Sequence, residues 1–540
     1  MKTTNKKGAK RAADFVVQGS ILAMAGILVR IIGMLYRMPL NDIIGKQGNG
    51  YYTSAYNVYN ILLILSSYSM PVAISKMISS RLARGEYENC RRILRAGLLY
   101  ATIAGGIAGC ALWFGADLFA GLMKTPFSSY ALKTLAPTIW IMAYLGVLRG
   151  YFQGTGTMVP TAVSQILEQI VNAVVSVVAA GLLFQTGAAT AFIFFVMLTL
   201  SKGREVLGEE TAPVHTADGS GRAKTESYGR LMYVLTITVL PIIVSSAVYN
   251  CSNVVDNFLF GQGMDRLGYT GEEIAVFWGA LGQYQLLFNI PVAVSNALSS
   301  SLIPSLTRAV SSGNQEETNQ RIAAAVRFSM LIAIPAAVGI GVLAEPVSNL
   351  LFAGEDNSLL IRLTMAGALA VVFFSLSTVT NAVLQGLNRL DVPVRHAFLS
   401  LAVHIILVEV FLMIFHMGIF SVVFANILFA FMMCLLNGRS IARYAGYRQE
   451  YKKTVILPFV CSLLMGAAAW SIYKGLVFLC PALLSGGRLG MAVLVFPPVA
   501  VSMAVYGVLL VKLKAIDEKE LKEMPMGTRL VRLCKRVRLM

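Results

Sequence analysis

Long apolar runs recur from one end of this 540-residue chain to the other. Examples are Leu98–Ala116, Leu231–Val248, Ala397–Phe415 and Met491–Val511. A helix of about 20 mostly apolar residues crosses the hydrocarbon core of a bilayer. Only 13% of the residues are charged, whereas soluble domains carry about 25%. Lipid is therefore the solvent for most of the chain, and we predict an all-α polytopic membrane protein with about 14 transmembrane helices.

The hydropathy pattern divides the chain into spans and connecting segments. The predicted spans lie at roughly 15–38, 51–80, 97–119, 129–148, 158–182, 186–201, 231–259, 274–303, 323–344, 359–385, 394–416, 418–438, 454–478 and 488–512. We predict an N-terminal lobe at 1–201, a cytoplasmic linker at 202–230, a C-terminal lobe at 231–440, two further spans within 441–512 and a basic cytoplasmic tail at 513–540. The linker is assigned from its charge and its Gly, Thr and Ser content.

Basic residues are distributed unevenly about these spans. The net charge is +18, and most Lys and Arg fall on one side of the membrane when the spans alternate. This asymmetry follows the positive-inside rule, so we predict that both termini are cytoplasmic. It also accounts for the charge without nucleic acid as a partner. Arg149 falls in one of these basic segments, directly after the fourth span.

The two halves of the chain repeat a pair of motifs. Pro71-Val-Ala-Ile-Ser-Lys76 matches Pro291-Val-Ala-Val-Ser-Asn296, and Phe152-Gln-Gly154 matches Leu384-Gln-Gly386 in the same order. The copies are an even number of spans apart, so both halves face the membrane the same way, and substrate is expected between them near the midplane. Because Gly and Pro bend or loosen membrane helices, we predict hinge or structural roles for Pro71, Gly154, Pro291 and Gly386.

Three cations fall inside predicted spans, where charges are costly and usually face a cavity. Arg30 lies deep in span 1, too far from the surface to snorkel easily, so we predict that it lines a substrate cavity. Arg37 follows seven residues later on the same helix face. It is either a second cavity cation or an interfacial anchor. Lys76, near the cytoplasmic end of span 2, either binds substrate or snorkels to the headgroups.

Acidic and amide side chains also occur within the spans. Asn253 and Asp256 share a helix face near the outer end of span 7. They form a substrate or cation site, a partner for Arg30, or an interhelical hydrogen bond. Glu409, with His404 about a turn away, is a second candidate for ion coupling. For Glu168 we predict a structural hydrogen bond or ion pair.

Several kinds of functional site are absent from the sequence. No GxxxxGK[ST] loop is present, so ATP hydrolysis is not indicated. The seven Cys are scattered without a CxxC pair or a His cluster, which predicts neither disulfides nor a metal site. The predicted outer loops are short and contain no paired carboxylates of the kind a glycan polymerase needs. We therefore predict a transporter without a cofactor rather than an enzyme.

A further set of motifs spreads over residues 15–512. It consists of Arg30-Ile-Ile-Gly33; Gly45, Gly48, Gly50 and Tyr51; Pro71–Lys76; Arg149-Gly-Tyr-Phe-Gln-Gly154 with Met158, Pro160, Ser164-Gln165 and Glu168-Gln169; and Pro291, Pro304, Gln385-Gly386 and Pro393. Their order resembles the MOP superfamily of exporters. Within that superfamily the chain is similar to the polysaccharide-biosynthesis flippases of the stage V sporulation protein B and Gram-positive MurJ types.

The resemblance implies two six-helix lobes around a V-shaped cavity, followed by two extra helices, in a bacterial plasma membrane. It implies that span 1 arginines, here Arg30 and Arg37, bind the pyrophosphate of an undecaprenyl-linked sugar. The hypothesis is a monomeric flippase that carries a lipid-linked oligosaccharide, first of all lipid II, to the outer leaflet, with Na⁺ or H⁺ as the coupling ion. The alternative is a MATE-like ion-coupled exporter of cationic drugs, which needs an acidic cavity.

Overall fold

The computed structural model describes residues 2–68, 70–82, 84–178, 226–352, 356–513 and 515–516. Within these ranges the chain is helical and contains no β-strand, which confirms the predicted all-α class. The helices are α1 Lys2–Leu63, α2 Met70–Leu82, α3 Tyr87–Leu122, α4 Ser128–Gly154, α5 Val159–Val178, α6 Tyr228–Arg266, α7 Gly271–Ser311, α8 Gln315–Val342, α9 Ala344–Leu351, α10 Ser358–Gly386, α11 Asp391–Glu409, α12 Phe420–Ala445, α13 Leu457–Leu479, α14 Ala482–Ser485 and α15 Gly487–Lys512.

Nine helical stretches of the described chain are long and apolar enough to cross a membrane. The predicted span at 186–201 lies outside the described residues, together with residues 202–225 of the predicted linker and 517–540 of the predicted tail. The other predicted spans coincide with helices. The nine candidate membrane stretches coincide with nine of the predicted spans, whereas the spans predicted at 15–38, 158–182, 231–259 and 274–303 fall on helices but are not among the nine. Helices α3, α6 and α7 continue well beyond their apolar cores.

The chain forms two compact units, Met1–Gly279 and Ala280–Met540. In the first unit α6 packs against α1, α2 and α3, and its residues Leu231 and Leu235 share a buried core with Ile74 and Ile93. In the second unit α10 packs against α8 and α12, and α13 packs against α8 and α15. The predicted division into lobes, linker and tail stays a prediction.

Helix α1 is interrupted in two places. Gly45 adopts φ 65° and ψ 179°, so the segments before and after it are separate helices joined at a kink. Glycine tolerates this positive φ because it has no Cβ. After α1, residues 64–68 form a π-helical turn directly before α2. Pro71 lacks the N–H that would bond the carbonyl of Ser67, which favours an irregular turn at this point.

The glycine of each Gln-Gly motif accepts a hydrogen bond from a hydroxyl group on a neighbouring helix of its own unit. In the first unit Ser79 Oγ donates a hydrogen bond to the carbonyl of Gly154, at 2.9 Å. In the second unit Thr307 Oγ1 donates to the carbonyl of Gly386, at 3.2 Å. Both glycines end a long helix and lie tightly against the neighbouring helix: a Cβ on Gly154 would lie 2.6 Å from Ile78 Cβ, and one on Gly386 would lie 2.8 Å from a Leu306 Cδ. The motifs thus mark close helix packing, and their hinge role stays a prediction.

Candidate functional site

Arg37 lies among tyrosines inside the first unit. Its half-buried guanidinium forms a hydrogen bond with the side chain of Tyr36 and lies close enough to Tyr52 and Tyr56 to interact electrostatically. In an unbroken helix, Arg37 and Tyr52 would be about 22 Å apart, at 1.5 Å per residue. The kink at Gly45 therefore brings the two parts of α1 together around this cation.

The tyrosines form a row along one face of α1. The rings of Tyr52 and Tyr56 stack with centroids 5.9 Å apart, and those of Tyr56 and Tyr59 are 5.7 Å apart. Residues three or four positions apart lie on the same helix face, which explains the row. Tyr59 is buried and hydrogen-bonds to Thr138 of α4. The row thus presents stacked rings and phenol hydroxyls beside Arg37.

An ion pair lies at the other end of this row. Tyr56 and Tyr59 both interact electrostatically with Glu168 of α5. Glu168 Oε2 accepts a hydrogen bond from Arg149 Nη2 of α4 at 2.8 Å, and Arg149 Nε donates to Ser164 Oγ at 3.0 Å. The predicted structural ion pair of Glu168 is therefore confirmed. Arg37, the tyrosines and the Arg149–Glu168 pair form one polar row within the unit, which we call the Arg37 row.

Arg149 corrects the sequence interpretation. Its position directly after the fourth predicted span had suggested a cytoplasmic segment, but α4 continues to Gly154 and leaves Arg149 only 9% exposed. The charge can stay buried because Glu168 and Ser164 satisfy it. The one sequence signal that could have pointed to a structural role for Arg149 is its place in the Arg149–Gly154 motif, which is part of the family resemblance.

Arg30 and Lys76 are the other two cations that the sequence predicts to bind substrate. Arg30 lies on α1, but its side chain is outside the part of the chain that the structure describes, so its cavity position stays a prediction. Lys76 is exposed in the middle of α2. Of the three cations, only Arg37 is brought by the described residues into a defined polar surrounding.

The predicted patch on α6 is buried in the first unit. Asp256 is 1% exposed, and Asn253 is half-buried. The neighbouring Asn257 accepts a hydrogen bond from Ser54 Oγ of α1 at 3.5 Å. Ser54 lies about 200° around the helix from both Tyr52 and Tyr56, at 100° per residue. The patch therefore reaches α1 on a different face from the Arg37 row.

Glu409 and His404 lie in the second unit. Glu409 is half-buried at the end of α11, where the π-helical turn 410–414 begins. His404 is fully buried, and its ring meets Phe429 of α12 edge-on, with centroids 5.7 Å apart. π-Helical turns are frequent at functional sites. The candidate role of Glu409 in ion coupling stays a prediction.

Comparison with known proteins assigns the family. The sequence profile of the polysaccharide biosynthesis protein family matches residues 16–304. The chain belongs to this family. The match covers the whole of the Arg37 row and the Asp256 patch, so both sites lie in the part of the chain that family membership rests on.

Two relatives from Bacillus subtilis (strain 168) are similar to this family member over nearly their full lengths. Lipid II flippase MurJ is 26% identical over 90% of this chain and 93% of its own. Stage V sporulation protein B is 24% identical over 95% of this chain and 98% of its own. The family resemblance inferred from the motifs is confirmed.

Solved structures share the fold. Lipid II flippase MurJ in an inward closed conformation aligns with a TM-score of 0.63 and 13% identity, over 91% of this chain and 99% of that one. An inward-facing multidrug resistance MATE family transporter of the MOP superfamily aligns with a TM-score of 0.59 and 16% identity, over 78% of this chain and 99% of that one. The protein is thus a multi-pass membrane protein whose fold is shared with Lipid II flippase MurJ and with a MATE family transporter of the MOP superfamily.

Proposed function

We propose that this protein is a flippase that moves an undecaprenyl-pyrophosphate-linked glycan, first of all lipid II, from the inner to the outer leaflet. The proposal is supported by the similarity to Lipid II flippase MurJ along most of both chains. The observation that carries it is Arg37, a half-buried guanidinium surrounded by tyrosines within a membrane unit. A cation in this position suits an anionic head group that must leave water.

The chemistry of the Arg37 row fits a pyrophosphate. A guanidinium donates two parallel hydrogen bonds to phosphate oxygens, and such charge-assisted bonds are about twice as strong as neutral ones. Phenol hydroxyls donate further bonds, and the stacked rings of Tyr52 and Tyr56 offer flat apolar faces to a sugar. We propose that Arg37, together with Arg30 and with a contribution from Lys76, binds the head group while the polyprenyl tail stays in the bilayer.

Transport by alternating access needs an energy source. The sequence contains no phosphate-binding loop for ATP, so we propose a secondary-type mechanism driven by an ion gradient or the membrane potential. Asp256 and Glu409 remain candidate ion-coupling residues, since carboxylates within membrane helices usually serve transport. We propose that the protein acts as a monomer, without a cofactor, in the bacterial plasma membrane with both termini cytoplasmic.

A second candidate function is ion-coupled export of cationic drugs. It is favoured by the fold shared with the MATE transporter and by the buried carboxylate of Asp256. The Arg37 row argues for the flippase, because a guanidinium repels a cationic substrate.

Reconstitution of the full-length protein tests the proposal. Purified protein is reconstituted into unilamellar vesicles that contain lipid II. The fraction of lipid II that is accessible from outside the vesicles is followed with a membrane-impermeant probe. Protein-dependent movement of lipid II, with no protein-dependent efflux of a cationic dye, supports the flippase. Dye efflux that is lost in Asp256→Asn, with no movement of lipid II, contradicts it and supports the drug exporter.

A further inference from the structure

A polar cluster joins three helices of the second unit. Asn437 of α12 is fully buried, and its Nδ2 donates hydrogen bonds to Thr380 Oγ1 at 3.1 Å and to Asn381 Oδ1 at 2.8 Å, both on α10. Its Oδ1 lies 2.8 Å from Nδ1 of His396 on α11. Ser440 Oγ of α12 lies 3.4 Å from His396 Nε2. We call these five residues the His396 cluster, and no predicted site residue belongs to it.

The hydrogen bonds fix which nitrogen of His396 carries the proton. Thr380 Oγ1 donates to the carbonyl of Leu376 at 2.8 Å, so it can only accept from Asn437. Asn437 therefore commits both amide hydrogens to α10, and its Oδ1 must accept. His396 Nδ1 is then the donor, and in the neutral ring Nε2 carries the free electron pair.

This arrangement accommodates a second proton. When Nε2 gains a proton, an N–H bond forms there, and the hydroxyl of Ser440 rotates from donor to acceptor. No bond of the cluster is lost, because a hydroxyl can play either role. The Nδ1–H···Oδ1 bond to Asn437 becomes charge-assisted and stronger. Histidine is the side chain whose charge ordinarily changes between about pH 5 and 8.

We propose that His396 is a proton-binding site, and that this proton is a coupling ion of the transport cycle. The site rests on the geometry of the cluster, and its coupling role rests on the proposed function. Protonation strengthens the bond between α11 and α12, so it favours the conformation in which these helices are held together. The proton thus changes the relative stability of two conformations by binding one of them better.

Charged groups lie near the cluster on α11, on α12 and just before α11, where the Arg389 guanidinium lies 4.6 Å from the centroid of the Tyr444 ring of α12. On α11 itself, Asp391 and Arg395 form an exposed ion pair at 3.1 Å. Arg439 and Arg443 of α12 lie one residue before and three residues after Ser440, and both are exposed. Residues 363–386 of α10 contain no ionisable side chain. The α12 arginines oppose a further positive charge and Asp391 favours it, and their exposure to solvent weakens both effects.

The first unit has a charged group at the matching position of its long helix. Arg149 and Asn381 each lie five residues before the glycine that ends the helix, and each is bonded to a neighbouring helix. At this position the first unit has an ion pair with Glu168, and the second has a cluster of neutral groups around a histidine. Binding of one proton by His396 therefore changes the charge near this position in the second unit. In the first unit the same position already carries the Arg149–Glu168 ion pair.

Hydrogen exchange tests the site without any substrate. The chain has four histidines, His215, His396, His404 and His416. In full-length protein in nanodiscs, exchange of each imidazole C2 hydrogen, read by mass spectrometry, reports its protonation. We expect the exchange at His396 to show that its ring gains a proton on acidification, and amide protection of α11 and α12 to rise as it does. We also expect this pH dependence to disappear in His396→Gln and to persist in His416→Gln, the matched control in an exposed loop.

A second variant guards against misfolding. Ser440→Ala keeps every contact of the neutral ring with Asn437 but removes the acceptor for protonated Nε2, so we expect amide protection of α11 and α12 to rise less on acidification than in the native protein. If the exchange at His396 shows no proton gained on acidification, or if the pH dependence of protection is unchanged in His396→Gln, the proton site is wrong.

Vesicle transport separates this inference from the proposed function. An imposed proton gradient should change the rate of lipid II movement in the native protein and in His416→Gln, and this response should be lost in His396→Gln. An equal response in His396→Gln overturns the coupling role. Titration of His396 in a protein that moves no lipid-linked glycan supports the proton site and contradicts the flippase.

Discussion

Arg149 Nη2 lies 2.8 Å from Glu168 Oε2, and this ion pair ties α4 to α5 at the end of the Arg37 row. The two side chains are only 11% and 15% exposed. A pair of this kind contributes little net stability, because both charges have been taken out of water. Replacing only one member of the pair is costly, because the remaining buried charge has no partner. The pair therefore enforces a definite register between α4 and α5.

Neutralising one member of the pair should destabilise the protein strongly. We expect Glu168→Gln to lower the unfolding temperature of the purified protein, with a cost on the order of 3–5 kcal/mol for an uncompensated buried charge. The measurement is tryptophan fluorescence during heating. Asp117→Asn is the control, since it breaks the Lys133–Asp117 pair, whose side chains are 36% and 71% exposed and which contributes little to stability because solvent screens it. Equal effects of the two substitutions would show that the Arg149–Glu168 pair is not buried in the folded protein.

The tight glycines of the repeated motif should not tolerate a side chain. A Cβ on Gly154 would lie 2.6 Å from Ile78 Cβ and 3.0 Å from the carbonyl of Ser75, so α2 and α4 would have to move apart. We expect Gly154→Ala to cost about 1–3 kcal/mol and to reduce transport. Gly106→Ala is the matched control, since a Cβ there meets no atom within 4 Å. Thermal stability measured by size-exclusion chromatography after heating distinguishes them, and a Gly154→Ala protein as stable as the native one would contradict the packing.

Cysteine labelling should reveal the orientation of the chain. Cys480 is exposed directly after α13, in a loop predicted to lie outside the cell, and Cys110 is exposed in the middle of α3. In single-cysteine variants we expect a membrane-impermeant maleimide added to intact cells to label Cys480. It should leave Cys110 unlabelled, because that thiol faces lipid and has no water to support its thiolate form. Labelling of Cys480 only after the cells are lysed would reverse the predicted topology.

Hydropathy and the repeated motifs were sufficient to predict much of the fold. Spans appear as apolar runs, and the paired glycines at Gly154 and Gly386 occur in matching sequence contexts. The kink at Gly45 was not predicted, because the positive φ of a glycine depends on the helices packed around it.

The site was predicted only in part. Arg37 was identified because it follows Arg30 by seven residues on the same helix face, but its tyrosine neighbours were not identified, because Tyr52 and Tyr56 approach it only through the kink. Arg149 was placed in a segment outside the membrane, because a charge at the end of an apolar run ends the predicted span unless its partner is known. Likewise, His396 and Asn437 are on separate helices and have no local sequence signature.

The most direct test of the account is the binding of lipid II to variants of Arg37. Purified native protein, Arg37→Ala, Arg37→Lys and Tyr36→Phe are compared by native mass spectrometry and by lipid II movement in vesicles, with Arg362→Ala as the control at an exposed arginine. We predict that Arg37→Ala loses both the binding and the movement of lipid II. Arg37→Lys should keep a fraction of each activity, because lysine retains the charge but not the planar set of donors of the guanidinium. Tyr36→Phe should weaken lipid II binding by up to about tenfold. Folded Arg37→Ala protein that binds and moves lipid II as the native protein does would contradict the central claim.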